Sequence, residues 1–211
     1  MMPIVFIGDN TIKNFENIEL TRRALEKIKL LKDENQKKNT IKADILIQNK
    51  LEAIMKGDYD INKFNIGKYG KPYYDSNKAV HFNISHTGNI VVVVFYICEI
   101  GVDVEYIENE YCLDYQRDIM DFFNKREIEY LSSSLEFNYD FIKLWTAKES
   151  FVKYTGSGLY RELSSFFVDL KSNLVYVQKK VEASIFSFSY HNIYVSICTK
   201  EPIDLVCITT F

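Results

Sequence analysis

The sequence predicts an α+β fold, and three observations carry that expectation. Apolar residues recur at three- and four-residue steps over 16–31, 40–56 and 139–154, the period of amphipathic helices. From residue 165 onward the pattern changes to five short β-rich segments, 165–170, 174–178, 183–190, 193–199 and 204–210. The third is an internal echo. Phe82-x-x-Ser85 followed by Asn89-Ile90 and valines matches, with one residue of offset, Phe186-x-x-Ser189 followed by Asn192-Ile193-Tyr194-Val195. It is consistent with two similar α+β subdomains, 1–101 and 102–211, meeting near residue 102.

Taken in order, Pro3 to Ile7 is a short apolar run stopped by Gly8-Asp9-Asn10, an opening strand. The helix over 16–31 turns Leu20, Ala24, Ile28 and Leu31 inward, and its polar face carries Arg22, Arg23, Lys27 and Lys29. That basic face is either solvated or binds an anion. Residues 32–39 are too polar for core, so Thr40 is placed as the cap of a second helix running to about Lys56 and ended by Gly57-Asp58. Gly67, Gly70 and Pro72 punctuate a loop. Residues 81–107 read as a hairpin of two well-buried strands. A helix over 113–123, a restart at Asn124-Lys125-Arg126-Glu127 and a Ser132–Ser134 loop lead to the clearest helix, Tyr139 to Tyr154. Phe141, Leu144, Trp145, Lys148 and Val152 share one face of it, and Gly156 is placed as its C-cap.

With 211 residues, 47% of them hydrophobic and 15 each of Phe and Tyr, the chain can bury a sizeable core. A net charge of −3 argues against a general nucleic-acid binder. Four cysteines without CxxC spacing, two of them (Cys98 and Cys198) in apolar runs, read as reduced core thiols. The N-terminus lacks a basic, long-apolar leader, and no run approaches the ~20 apolar residues of a membrane span. The expectation is a cytoplasmic, soluble protein.

The chemistry concentrates on Gly101-Val102-Asp103-Val104-Glu105. Strand alternation puts Asp103 and Glu105 on one face and Val102 and Val104 on the other. Two carboxylates that close repel each other, and a hard divalent cation is the usual remedy. On the 139–154 helix, Glu149 neighbours Trp145 and Lys153 on consecutive turns. It can therefore offer a third oxygen ligand, with Lys148 or Lys153 as phosphate donors. Spacing alone does not separate this from surface ion pairing. Ser85 and His86 are adjacent in a strand and point apart, which makes a nucleophile–base relay awkward; donating hydrogen bonds to phosphate suits them better. Only three His are present, without paired His/Cys spacing, which argues against zinc.

Phe82-Asn83-Ile84-Ser85-His86-Thr87-Gly88, the strand Gly101–Glu105 and Trp145-Thr146-Ala147-Lys148-Glu149-Ser150-Phe151-Val152-Lys153 occur in that order. Gly70-Lys71-Pro72 lies upstream and Gly156-Ser157-Gly158 downstream. Together they resemble the motifs of the 4′-phosphopantetheinyl transferases of the surfactin-synthetase-activating class, over roughly residues 20–200. The length is similar to the two-subdomain class rather than to the half-sized trimeric one. The resemblance implies a monomeric pseudo-dimer of two α+β halves with the active site in the cleft between them. It implies Mg2+-dependent transfer of the 4′-phosphopantetheine arm from coenzyme A to a serine of an apo acyl or peptidyl carrier protein, releasing 3′,5′-ADP. By motif, Asp103, Glu105 and Glu149 hold Mg2+, and Lys71, Ser85, His86, Lys148 and Lys153 contact phosphates. Glu149 is the base, directly or through water, with Lys153 beside it as a second catalytic group. The family commonly carries Arg just before the position of Thr40; here it is Asn39. Lys38 or Lys42 would substitute for contact with the 3′-phosphate, and Lys27 is the best-placed earlier cation. Tyr111 to Phe123, with Met120, Phe122 and Phe123, is the expected carrier-facing segment or else core. Two rival readings are a catalytically silent coenzyme A- or carrier-binding homologue and a metal-dependent enzyme acting on another diphosphate. The sequence does not choose among fatty-acid, polyketide and nonribosomal-peptide carriers.

Overall fold

The structure is a computed structural model describing residues 2–9, 19–107 and 120–211. Helix α1 (Arg22–Leu30) starts at Thr21, whose hydroxyl accepts from the Ala24 N–H while donating to Asp44. It is shorter than its apolar period suggested, and residues 16–18 lie outside the described residues. Helix α2 (Glu34–Met55) starts a turn and a half before Thr40. Asp33 caps it by accepting from the Gln36 N–H at 2.8 Å. Thr40 behaves as an interior residue, its hydroxyl donating to the Gln36 carbonyl one turn back at 2.9 Å.

A sheet of β1 (Ile4–Asp9), β4 (His81–Thr87), β5 (Ile90–Tyr96) and β11 (Cys207–Thr210) has the order β11-β1-β5-β4. A second sheet has the order β6-β10-β9-β8-β7, from β6 (Gly101–Tyr106), β7 (Phe166–Asp169), β8 (Leu174–Val177), β9 (Lys180–Tyr190) and β10 (Ile193–Thr199). A small ribbon pairs β2 (Phe64–Ile66) with β3 (Pro72–Tyr74). The strands after residue 165 fall close to where alternation placed them. The hairpin expected over 81–107 is a correction. Only β4 and β5 form it, and β6 leaves to pair antiparallel with β10 in the other sheet. The echoed motifs fall on corresponding hairpins, β4–β5 and β9–β10.

Alternation along the central strands sorts the core into layers. Val91, Val93 and Phe95 of β5 face α2 with Ile47, Leu51 and Met55. Val92 and Val94, on the opposite face, meet Val102, Val104, Val195 and Ile197 of the second sheet. Beyond that sheet, Tyr194 and Cys198 of β10 pack under α4 (Phe137–Thr155), with Phe141, Leu144 and Phe151. The order is helix, sheet, sheet, helix. The last strand, β11, crosses back to pair parallel with β1. Cys198 is buried, whereas Cys98, expected in the core, is exposed. Among the described residues no helix is long and apolar enough to cross a membrane.

Gly101 sets how closely α4 rides on β6. A Cβ there would lie 2.0 Å from the Ser150 carbonyl oxygen and 2.3 Å from the Tyr154 nitrogen. Both are helix backbone, which cannot step aside without moving α4. Gly101→Ala should therefore destabilise the fold by roughly 3 kcal/mol, read as a fall in the urea midpoint. It should also lift Glu149 and Lys153 away from β6. An unchanged midpoint would show that the helix can ride higher at no cost.

Candidate active site

The site forms where the two sheets meet edge to edge. β4 and β6 share no backbone ladder; β4 side chains form the rungs instead. Asn83 Oδ1 accepts from the Val102 N–H at 2.9 Å, Ser85 Oγ donates to Asp103 Oδ1 at 2.8 Å, and Thr87 Oγ1 donates to Glu105 Oε2 at 2.9 Å. The pairs advance together along both strands, so the motif around His86 and the two carboxylates are held in register. As alternation required, Val102 and Val104 point into the inter-sheet core while Asp103 and Glu105 face a cavity.

That cavity encloses about 870 Å³, and Asp103, Glu105, Glu149, Lys153, Ser85, His86, Lys27, Arg23 and Lys71 all line it. Its size is within the range of small-molecule and cofactor sites. Lys153 Nζ lies 2.7 Å from Asp103 Oδ1 and 2.8 Å from Ser85 Oγ. Burial, and then the charge of Asp103, push the Glu105 carboxyl up to about 7. The same two causes raise Glu149, against the pull of Lys153. Burial, with Lys27 and Lys153 alongside, pulls the His86 imidazole down to about 4, so it is neutral at neutral pH.

Among the described residues, no group of three or more His, Cys, Asp or Glu side chains stands ready to hold a metal ion. The donor chemistry nonetheless fits a hard cation. Asp103 is only 5% exposed, and its Oδ2 is buried without a hydrogen-bond partner. A buried carboxylate oxygen left bare is costly unless something binds it, and the two carboxyl groups beside it are raised first by burial and then by the Asp103 charge.

Other residues sort less evenly. Lys148 lines no part of this cavity. It is fully buried, donating to both oxygens of Glu127 at 2.9 and 2.7 Å and to the Phe166 carbonyl at 3.1 Å. Lys71 reaches the cavity wall, yet its ammonium ties together the Glu99 carboxylate and the carbonyls of Ile100 and Tyr154. Lys38 is exposed and outside the cavity lining. Lys42 Nζ lies 4.9 Å from the Phe211 ring centroid. Asn39 is buried, its Nδ2 donating to the Gly88 carbonyl at the β4–β5 turn.

Arg23, not singled out by its motif, stands one helical turn before Lys27 on the cavity wall. Neither forms an ion pair among the described residues. Burial lowers both pKa values, and Lys27 is lowered further by Arg23 itself. Asp44 offsets part of the Arg23 shift without pairing with it, and two like charges lining a cavity with no ion-pair partner among the described residues are arranged for an anion. Phe123 is core, packed on Phe141 and Trp145, whereas Phe122 is exposed and lines the cavity. Met120 packs partly buried against the core, and residues 111–119 lie outside the described residues.

A family profile described as the 4′-phosphopantetheinyl transferase superfamily matches residues 99–201. The chain is 32% identical over 146 residues to the 4′-phosphopantetheinyl transferase gsp of Aneurinibacillus migulanus, covering 66% of this chain and 58% of that protein. It is 34% identical to the 4′-phosphopantetheinyl transferase Sfp of Bacillus subtilis (strain 168), over 62% of this chain and 58% of the relative. The match to the 4′-phosphopantetheinyl transferase psf-1 of Bacillus pumilus is 26% identical and longer, covering 90% and 82%. The chain thus spans 58% of the length of the first two relatives.

Proposed function

We propose, from the profile match over residues 99–201 and the relatives it resembles, that the chain is a member of the 4′-phosphopantetheinyl transferase superfamily and moves the phosphopantetheine arm of coenzyme A onto a serine of an apo carrier protein, releasing 3′,5′-ADP. The observation that carries this reading is the convergence, in one cavity between two sheets, of a carboxylate strand, a carboxylate–lysine helix and a separate pair of cations. We read 1–101 and 102–211 as the two halves of a pseudo-dimer, crossed once by β11, acting as a monomer in the cytoplasm.

Each group then has work to do. Asp103, Glu105 and Glu149 would hold Mg2+, which when bound neutralises charge on the diphosphate oxygens. Lys153, bonded to Ser85 and Asp103 on the cavity wall, would donate to a phosphate oxygen bound there. His86, held neutral by burial and the neighbouring lysines, still carries one ring N–H that would donate to a phosphate oxygen. Glu149, on α4 facing the same cavity, would accept the carrier serine proton directly or through water. The serine oxygen forms a bond to the β-phosphorus of coenzyme A. The bridging P–O bond breaks, and its electron pair leaves with 3′,5′-ADP. Charge builds on oxygens already facing fixed cations, so positioning and electrostatics supply most of the rate. Phe122, exposed at the mouth, offers the carrier an apolar contact.

Intact-mass measurement of a panel of apo acyl and peptidyl carriers, incubated with the protein, coenzyme A and Mg2+, tests the reading. One added arm on at least one carrier is expected. No addition on any carrier would leave a silent binding protein as the better description.

Arg23 and Lys27 form the anion wall of the proposed site, which assigns them to the 3′-phosphate. Removing that phosphate should cost one or two charge-assisted contacts of about 1.5–3 kcal/mol each. Calorimetry should find dephospho-coenzyme A bound at least about 10-fold more weakly than coenzyme A. Equal affinities would mean that the two cations only meet solvent.

A further inference from the structure

Three carboxylates and one ammonium share the inner end of the cavity, and the ammonium is placed where a cation would be. Lys153 Nζ, 2.7 Å from Asp103 Oδ1, also donates to Ser85 Oγ at 2.8 Å, while the Ser85 hydroxyl donates to that same Oδ1. Asp103 therefore has one oxygen doubly engaged and the other, buried Oδ2, without a hydrogen-bond partner. Glu105 has Oε2 taken by Thr87. The carboxylates are thus not gathered into a cage, and none of three or more acidic or His side chains is found among the described residues. Lys153 is the half-exposed member, its side chain 28% exposed against 6% for Asp103, so it is the partner free to move.

We infer that Lys153 is a built-in counter-cation, holding Asp103 until an anionic diphosphate draws the ammonium away, so that divalent cation and coenzyme A load as a unit. This rests on the reading of the cavity as a diphosphate site. A divalent cation arriving alone would have to displace the ammonium from Asp103 Oδ1, and the other carboxylates that feel the Lys153 charge, Glu105 and Glu149, are the ones that cation needs. Both positive charges would then sit in one partly buried space, with Lys27 adding to the repulsion. A diphosphate removes that conflict. It gives the Lys153 side chain a second anion within reach, frees Asp103 Oδ1 beside the bare Oδ2, and adds oxygens of its own to the coordination. The coupling is reciprocal, so the cation tightens the diphosphate by the same factor.

Mn2+ is the probe, followed by the electron-paramagnetic-resonance signal of the free ion, with no carrier present; transfer therefore plays no part in the outcome. In the absence of coenzyme A the wild type should bind Mn2+ weakly, and Lys153→Gln at least about 10-fold more tightly, with circular dichroism confirming that the variant is folded. Lys27→Gln, which removes a nearby charge not bonded to a carboxylate, should change the affinity less than about 3-fold. Coenzyme A should tighten Mn2+ binding to the wild type beyond what coenzyme A binds alone. The inference is overturned if Lys153→Gln binds no more tightly than wild type, if Lys27→Gln gains as much, or if wild-type affinity is the same with and without coenzyme A. A protein that shows this coupling yet modifies no carrier would keep the inference and lose the transferase reading.

Discussion

Glu127→Ala should cost the fold about 3–5 kcal/mol, because it strands a buried ammonium. Glu127 opens α3 (Lys125–Ser133) by completing a capping box with Asn124, and its two oxygens also accept from Lys148 and the Val168 N–H. Lys148 is 0% exposed and lies 4.2 Å from the centroid of the Phe166 ring. One ion pair therefore joins α3, α4 and β7 inside the second core, with every strong donor and acceptor matched. Removing one partner leaves the other charged and dry. A domain of this length loses roughly 2–4 °C per kcal/mol, so the midpoint of thermal unfolding should fall by roughly 10 °C. Lys148→Met combined with Glu127→Leu should recover much of that loss, since an apolar pair of similar volume carries no desolvation penalty. A Glu127→Ala protein within 1 kcal/mol of wild type would mean that Lys148 has another place to go, the cavity being the nearest.

The second large effect concerns Asp103. Asp103→Ala should lower transfer at least about 100-fold, the scale seen when one preorganised electrostatic contact to a transition state is lost. Stability should stay within about 1 kcal/mol of wild type. The ion pair lost is open to solvent at its Lys153 end, and the substitution also removes a buried oxygen that has no partner. Near-normal transfer by this variant would show that the carboxylate strand is not where the diphosphate is handled.

What the sequence made legible follows from which forces are local. The outward face of β6 was readable because strand alternation leaves Asp103 and Glu105 no other side once Val102 and Val104 are buried. The C-cap at Gly156 was readable because a left-handed residue, φ 65°, ends the helix there. Lys148 was harder. Its place on the face of Phe141, Leu144 and Val152 already marked it as inward-pointing, and a buried lysine demands a carboxylate. The partner, Glu127, was visible only as a helix-start residue. Nothing local says that a cap will also close an ion pair with a residue 21 positions on. The start of α2 was misplaced for a related reason. Polar residues 34–38 are helical because Asp33 caps them, and the buried Asn39, Thr40 and Asp44 hold the helix down. Asp44 also accepts from both the amide and the hydroxyl of Thr21, fixing where α1 begins and so where Arg23 and Lys27 point. The departure of β6 from the 81–107 hairpin was not legible, because β4 contacts it through side-chain rungs that any polar strand could carry.

We propose that the carboxylates of β6 and α4 and the diphosphate of coenzyme A share one cation. Crystals grown with coenzyme A and Mn2+, measured for anomalous scattering, test it most directly. The account predicts an anomalous peak between Asp103, Glu105 and Glu149 and the diphosphate, with Lys153 withdrawn from Asp103 onto a phosphate oxygen. Coenzyme A bound with its diphosphate away from these three side chains, or with Lys153 still on Asp103 and no peak beside it, would contradict it.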